Sequence, residues 1–312
     1  MIKTINFGIL ILTVLAINIG CDKVEMPLPE PEVLVLNDSI TFPSVDSANL
    51  NRSFKKTYVE EFTGHQCTTC PANTAVLLAQ YELNKERMII TSVHAGSFAL
   101  TSDDFGGYPT DYNTEYGTFL FQNYTTASTP IPSAMINRRE FENFNNLLLF
   151  NNIVTFWTEP INYENSNTSA NIALGIEADY IDSLEIFYIQ VSAEALSNLT
   201  SSYRLLLLCL EDSLVSAQLD TRADESIYPH KIVTDYTHRH VLRGKINPNQ
   251  SLAGDPFISG GVSAGDWIDY QLNAQLPNNI LDIKKTSIVA LIIDEVSGEV
   301  IQSEETHVHV VE

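Results

Sequence analysis

Residues Tyr58 to Leu78, YVEEFTGHQCTTCPANTAVLL, decide how the rest of the chain is read. Val59 and Phe62 suit a buried strand. A turn follows, then Cys67 and Cys70 at Cys-x-x-Cys spacing, then a helix predicted over 71–85 from apolar residues at Ala75, Val76, Leu78, Ala79 and Leu83. Pro71 fits that start, because the first helical turn tolerates a residue without an N–H. A cysteine in the first turn of a helix meets unpaired backbone N–H groups and the positive end of the helix dipole, both of which favour thiolate over thiol. This makes Cys67 the nucleophile and Cys70 the resolving partner. A structural zinc site would need two further ligands at matching spacing. The other cysteines, Cys21 and Cys209, lie far apart, which favours redox chemistry over metal.

The strand carries a second candidate, Glu61, six residues before Cys67. The arrangement resembles the thioredoxin family, in which an acid at this offset lies buried beneath the cysteine pair and relays a proton to and from the second sulfur. The resemblance implies that role for Glu61, whose pKa burial would raise toward neutrality; the plain alternative is a surface glutamate beside Glu60. It also implies a cis-proline facing the cysteines, and Ile131-Pro132, directly before the apolar run Ser133 to Ile136, matches that position, with Pro130 as rival. Gln66 stands where thioredoxins usually carry Trp, and Thr68-Thr69 replaces Gly-Pro, so the redox direction is not legible. His65 is either a thiolate-stabilising cation or an exposed loop histidine, and His94, ending the apolar stretch Arg87 to His94, is either a site residue or a satisfied structural one.

The chain begins MIKTINFGILILTVLAINIGC: a lysine, an apolar run too short for a comfortable membrane span, then small residues. Gly20-Cys21 resembles the bacterial lipoprotein signal, with Asn18 where Leu is usual, and implies that residues 1–21 form a lipoprotein-type signal in which Cys21 becomes the lipid-modified first residue of the mature protein. Residues 22–53 mix Pro and Glu and read as a tether, with Val33 to Leu36 as a possible edge strand. Residues 54–161 alternate strand and helix, including a Gly- and Tyr-rich insertion over 95–129 that either shapes access or elaborates the surface, and a closing helix expected over 145–157. The NYENSNTS stretch at 162–169 reads as a linker. Residues 170–312 hold short apolar runs separated by turn residues, which indicates an antiparallel, immunoglobulin-like β-sandwich. The expected fold is therefore an α/β thioredoxin-like domain followed by an all-β sandwich. Cys209, in LLLLCLED, reads as an inert buried thiol, and the pairs His238/His240 and His307/His309 as solvent-facing rather than metal-binding.

A net charge of −22 over 312 residues excludes a nucleic-acid surface and an anionic bilayer as direct partners, so membrane attachment would have to come from the lipid. The motifs EEFTGHQCTTCPAN, IPSAMINR, YTHRHVLRG and IVALIIDEVSGEVIQSEETHV are similar to those of the outer-membrane-protein-28-related lipoproteins of Gram-negative bacteria. That resemblance implies a lipid-anchored envelope protein with a thioredoxin-like domain followed by a β-sandwich and names no substrate, which leaves two functions open. One is a thiol–disulfide oxidoreductase acting on envelope protein clients, with Cys67, Cys70, Glu61 and Pro132 at its site and no metal or organic cofactor. The other is a binding or structural lipoprotein with a static Cys67–Cys70 disulfide.

Overall fold

Two runs of the second half are apolar at nearly every position rather than alternately: Tyr203–Glu211, YRLLLLCLE, and Thr286–Asp294, TSIVALIID. A strand of that kind has to be covered on both faces. In the computed structural model, these runs are neighbouring strands of one nine-stranded sheet. The structure describes residues 40–312 apart from 104–106, 127–128, 142–146, 151–156, 168, 249–250 and 252–253.

The protein is mostly β-sheet with a few helices. The first half runs β1 (Thr57–Thr63), α1 (Cys70–Leu83), β2 (Met88–His94), α2 (Glu115–Tyr124), β3 (Ser133–Ile136), β4 (Leu149–Phe150) and α3 (Thr158–Asn167). The second runs β5 (Ile172–Ile181), β6 (Ile186–Ala195), β7 (Tyr203–Glu211), β8 (Leu214–Leu219), β9 (Ile232–His238), β10 (Val241–Lys245), β11 (Asp255–Ile258), β12 (Trp267–Gln275), β13 (Thr286–Asp294), β14 (Val300–His307) and β15 (His309–Val311). The large sheet has the order β14-β13-β7-β10-β2-β1-β3-β4, with β11 also paired to β7. A four-stranded sheet, β12-β6-β5-β15, and the hairpin β8-β9 complete the β structure among the described residues. Within the large sheet β1 and β2 are parallel with α1 between them in sequence, and β3 runs antiparallel to β1.

Side-chain alternation along the strands then sorts the core. Leu205, Leu207, Cys209, Ile288, Ala290 and Ile292 face the four-stranded sheet and pack with Ile172, Leu174, Phe187 and Ile189. Leu206, Leu208, Leu210, Val289 and Leu291 face the other way, in a cluster that continues through Tyr58, Phe62, Ile89 and Val93 to Tyr116 and Leu120 of α2. Val59, Ile90, Ala134 and Ile136 pack with Leu77 of α1 and Ile161 of α3. Cys209 is a free buried thiol, and burial pushes its pKa far up, in keeping with an inert core cysteine.

Several expectations give way here. The boundary between 161 and 170 is not a break: Thr41–Glu312 forms one compact unit, and strands from both halves share the large sheet. The join is β10 beside β2, through Val241 opposite Ser92 and a Ser92 N–H bond to the His240 carbonyl at 2.8 Å. Without it β2 would present an open row of unpaired backbone groups. The expected linker lies mostly in α3, whose Ile161 and Glu164 are fully buried. Pro160 sits in the first turn of α3, where its missing N–H costs nothing. Of the expected closing helix, Leu149–Phe150 is instead a strand paired with β3, because Leu149 fills the core beside Ala134; residues 151–156 lie outside the described residues. The signal segment 1–21 with Cys21, and residues 22–39 with Val33 to Leu36, also lie outside them. The remainder of the expected tether is docked: Leu50 is buried against Gly175, where a Cβ would come within 2.5 Å of its Cδ2, and Arg52 pairs with Glu194 at 2.7 Å.

Candidate functional site

The turn after β1 carries Cys67. The Cys67 N–H donates to the Gly64 carbonyl at 3.0 Å and the Gln66 N–H to the Phe98 carbonyl at 2.9 Å. Gly64 is required there, since a Cβ would lie 2.5 Å from the Phe98 carbonyl oxygen. This turn holds Cys67 three residues ahead of α1, so it is Cys70, followed by Pro71, that occupies the first helical turn expected for Cys67. The two are joined as a disulfide, and both are buried, at 3% and 1% exposure.

Opposite them, the Ile131-Pro132 bond is cis, and no other described peptide bond is, which separates Pro132 from Pro130. The Ile131 carbonyl oxygen lies 3.9 Å from the Cys67 Sγ. The contact follows from sheet geometry: β3 starts at Ser133 opposite Phe62, so the proline loop and the cysteine loop emerge at one end of the sheet.

Glu60 and Glu61 are both fully buried, and neither is the surface residue of the plain alternative. Alternation sends them to opposite faces. On the α2 face, Glu60 takes two bonds from Arg138, Nε at 2.8 Å and Nη2 at 2.5 Å, and Arg138 also donates to the Tyr116 hydroxyl at 3.0 Å. On the α1 face, Glu61 accepts from two hydroxyls: Thr74 donates to Oε1 at 2.6 Å and Ser92 to Oε2 at 3.4 Å. Thr74 lies one helical turn beyond Cys70, so Glu61 sits beneath the part of α1 that carries the resolving cysteine. Burial without a cation raises the Glu61 pKa to about 7, against the lowering effect of the Thr74 and Ser92 bonds. Glu61 is thus a group able to hold or release a proton near neutrality.

His65 and His238 are placed differently from their expected loop and surface positions. His65 is 1% exposed, bonds the Leu100 carbonyl through Nε2 at 2.8 Å and stacks on Tyr108 at 5.1 Å. That burial removes the exposed reading, and it lowers the His65 pKa, which disfavours the cationic form. His94 at the end of β2 is buried and meets His238 of β9 with ring centroids 5.4 Å apart. His238 is buried too, not solvent-facing as expected. His240 does not share its strand face: it lies in the β9–β10 turn at φ 52° and is buried against Tyr81. Among the described residues no three His, Cys, Asp or Glu side chains gather as a metal site.

The β8–β9 hairpin, which the apolar-run pattern missed, closes the site. The Leu219 N–H donates to the His65 carbonyl at 2.8 Å, and Gln218 Nε2 to the Cys67 and Gly64 carbonyls at 3.2 and 3.4 Å. Thr221 Oγ1 donates to the Thr68 carbonyl at 3.3 Å. The signal that marks this hairpin is the weak alternation in LVSAQL and IVTDYTH. The insertion supplies the opposite wall, through the Phe98 and Leu100 carbonyls that accept from Gln66 and His65. The arrangement is a disulfide in a turn, a cis-proline carbonyl against one sulfur, a protonatable carboxyl beneath, and a hairpin from the second half bonded to the turn.

A family model described as Outer membrane protein Omp28 matches residues 120–311, a span that includes Pro132 and the hairpin but neither cysteine of the pair. No curated protein matches the chain. Among solved structures, HBP35 of Porphyromonas gingivalis is similar over 82% of this chain and 76% of its own, at 14% identity and a TM-score of 0.59, a likeness of fold. A domain of the outer membrane lipoprotein Omp28 from Porphyromonas gingivalis aligns over 46% of this chain and 92% of its own at 18% identity, with a TM-score of 0.29.

Proposed function

The chain belongs to the Omp28 family of outer membrane proteins, and from that premise we propose that it is a lipid-anchored thiol–disulfide oxidoreductase of the bacterial cell envelope, with a thioredoxin-like part built on β1–β4 and α1 and an immunoglobulin-like β part built on the second half. The observation that carries the proposal is the meeting of the Cys67–Cys70 disulfide with the carbonyl before cis-Pro132, above a buried Glu61 whose pKa is raised to about 7. The parallel β1–α1–β2 unit with β3 antiparallel beside it supports the thioredoxin-like assignment, and the two facing sheets support the immunoglobulin-like one. Cys21 would carry the lipid.

In one direction a client thiolate attacks the Cys67 Sγ, the Cys67–Cys70 bond breaks, and Cys70 leaves as a thiolate that takes a proton from Glu61. A second client thiolate then attacks the client sulfur of the mixed disulfide and expels Cys67 as a thiolate. The client loses two electrons and becomes a disulfide, and the pair gains them as a dithiol. The reverse sequence reduces a client disulfide, with Cys67 attacking, Cys70 resolving and Glu61 accepting the proton. No metal or organic cofactor takes part in either sequence.

A second reading, a non-catalytic lipoprotein with a static disulfide, is favoured by the burial of both sulfurs beneath the hairpin. The Cys70→Ala variant in the native envelope separates the two, because loss of the resolving sulfur strands clients on Cys67. Discrete mixed disulfides that vanish under reductant, and that are absent from a Cys67→Ala/Cys70→Ala control, are expected. Their complete absence makes the disulfide structural.

A further inference from the structure

Between β1, α1 and the hairpin lies a small pocket of about 10 Å³, lined by Glu61, Thr74 and His94 on one side and by Gln218, Tyr236 and His238 on the other. A water needs roughly 10–15 Å³ of such space and two to four polar partners, so this space admits about one. Its walls carry unpaired polar atoms. His94 Nδ1 and His238 Nε2 are out of contact with solvent and have no hydrogen-bond partner among the described residues, a condition that native structures rarely leave uncompensated.

The backbone of Ser216 and Ala217, across the hairpin, acts on the His238 ring in the direction that favours its protonated form, as nearby carbonyls do. With Nε2 unpaired, we assign the proton of the neutral ring to Nδ1, which leaves Nε2 an acceptor. Glu61 on the facing wall is a donor when protonated and an acceptor when ionised.

We propose that one ordered water fills this cavity and bridges Glu61 to the Nε2 of His238, which makes His238 a positioning residue for the proton that Glu61 exchanges. With Glu61 protonated, the water accepts from the carboxyl and donates to Nε2. With Glu61 ionised, it donates one hydrogen to the carboxylate and the other to Nε2. Both charge states are served without moving a side chain, and the hairpin of the second half acquires a part in the proton chemistry of the first. In its functional meaning the inference rests on the oxidoreductase reading; the bridge itself does not.

The groups facing the bridge are few. His94 and His65 adjoin His238, and burial lowers the pKa of all three, that of His238 to about 4. Tyr112 packs on both His94 and His238, Tyr236 packs on His238, and Tyr108 stacks on His65, all phenols with raised pKa. Arg243, paired with Glu211 at 3.2 Å, lies over Tyr112, Arg239 lines the cavity, and Asp111 acts on His65. Glu61, at about 7, is the member of the cavity itself that changes charge near neutrality.

The test is nitrogen NMR of the oxidised protein labelled at histidine, followed from about pH 5.5 to 8.5, a window set around the Glu61 value. His238 is expected to stay neutral while its Nε2 resonance steps with a midpoint near 7, and the step is expected to vanish in Glu61→Gln. A flat Nε2 trace, or a step that survives in Glu61→Gln, overturns the bridge. In His238→Phe the Glu61 ionisation constant should fall about tenfold, one pKa unit upward, because the water loses its anchor, and His238→Gln should restore it. An unchanged Glu61 midpoint in a folded His238→Phe protein overturns the proposal, and if that variant does not fold, the unmodified protein decides. Redox function is read separately by Cys70→Ala trapping, so a failed trap with a coupled step rejects the oxidoreductase and keeps the bridge.

Discussion

Arg138→Met is expected to lower the unfolding free energy by about 3–5 kcal/mol. Arg138 gives Glu60 two charge-assisted bonds in a setting where both side chains are almost wholly buried, and gives Tyr116 a third. The loss comes less from the attraction removed than from what is left behind, a carboxylate with no counter-ion between the sheet and α2. Tyr58, whose hydroxyl reaches Glu60 at 3.2 Å and Thr91 at 3.1 Å, cannot substitute for a cation. The companion measurement is Glu60→Leu/Arg138→Met, which removes both charges and should recover most of the loss. Urea unfolding at neutral pH reads both. A single variant within about 1 kcal/mol of the parent, the range of an exposed pair, would mean that the pair is hydrated.

Glu61 calls for the opposite experiment, since its charge has no partner and its removal should help. Its folded pKa is about 7 against an ordinary 4.5. Below the unfolded value the carboxyl is protonated in both states and contributes nothing to the pH dependence. As the pH rises from there to about 7 the unfolded chain releases its proton first, so stability falls; above that the loss is constant, at roughly 3 kcal/mol for the full difference. Glu61→Gln keeps an oxygen for Thr74 and removes the titration. The variant's stability relative to the parent should therefore climb by roughly that amount between pH 4 and 8, measured by urea unfolding of the oxidised protein. A difference that does not vary with pH would show a carboxyl of ordinary acidity and remove the proton donor from the redox scheme.

Neighbouring carboxyls in one strand thus have opposite characters, and half of that contrast was legible in advance. The YVEEFT pattern places successive residues on opposite faces, so Glu60 and Glu61 had to part. Which face holds an arginine depends on Arg138, 78 positions away in the turn after β3, and nothing in the local pattern marks it. The same holds for His65 and His238. Each is polar, and a lone histidine reads as a surface or loop residue until its neighbours are known, but here Tyr108, Tyr112 and Tyr236 enclose them. The hairpin strands were missed because their faces are only half apolar: Val215, Asp235 and Tyr236 turn toward solvent or a polar wall, and periodicity detects a strand by its buried face.

What the sequence determined by itself is local. A strand, a turn with two cysteines, a helix opened by Pro71, and a proline directly before an apolar strand are each specified within a few residues, by side-chain alternation, by helix-end chemistry and by the missing N–H of proline. The tertiary structure alone decided the rest: that Cys70 rather than Cys67 enters the helix, that β10 seals the edge of β2 and merges two expected domains into one sheet, and that Gln218 and Leu219 reach back to the cysteine turn across more than 150 residues of chain. Strand propensity carries no address. Which open edge a strand closes, and which polar group is shut away from water as a result, is settled only when the two halves pack against each other.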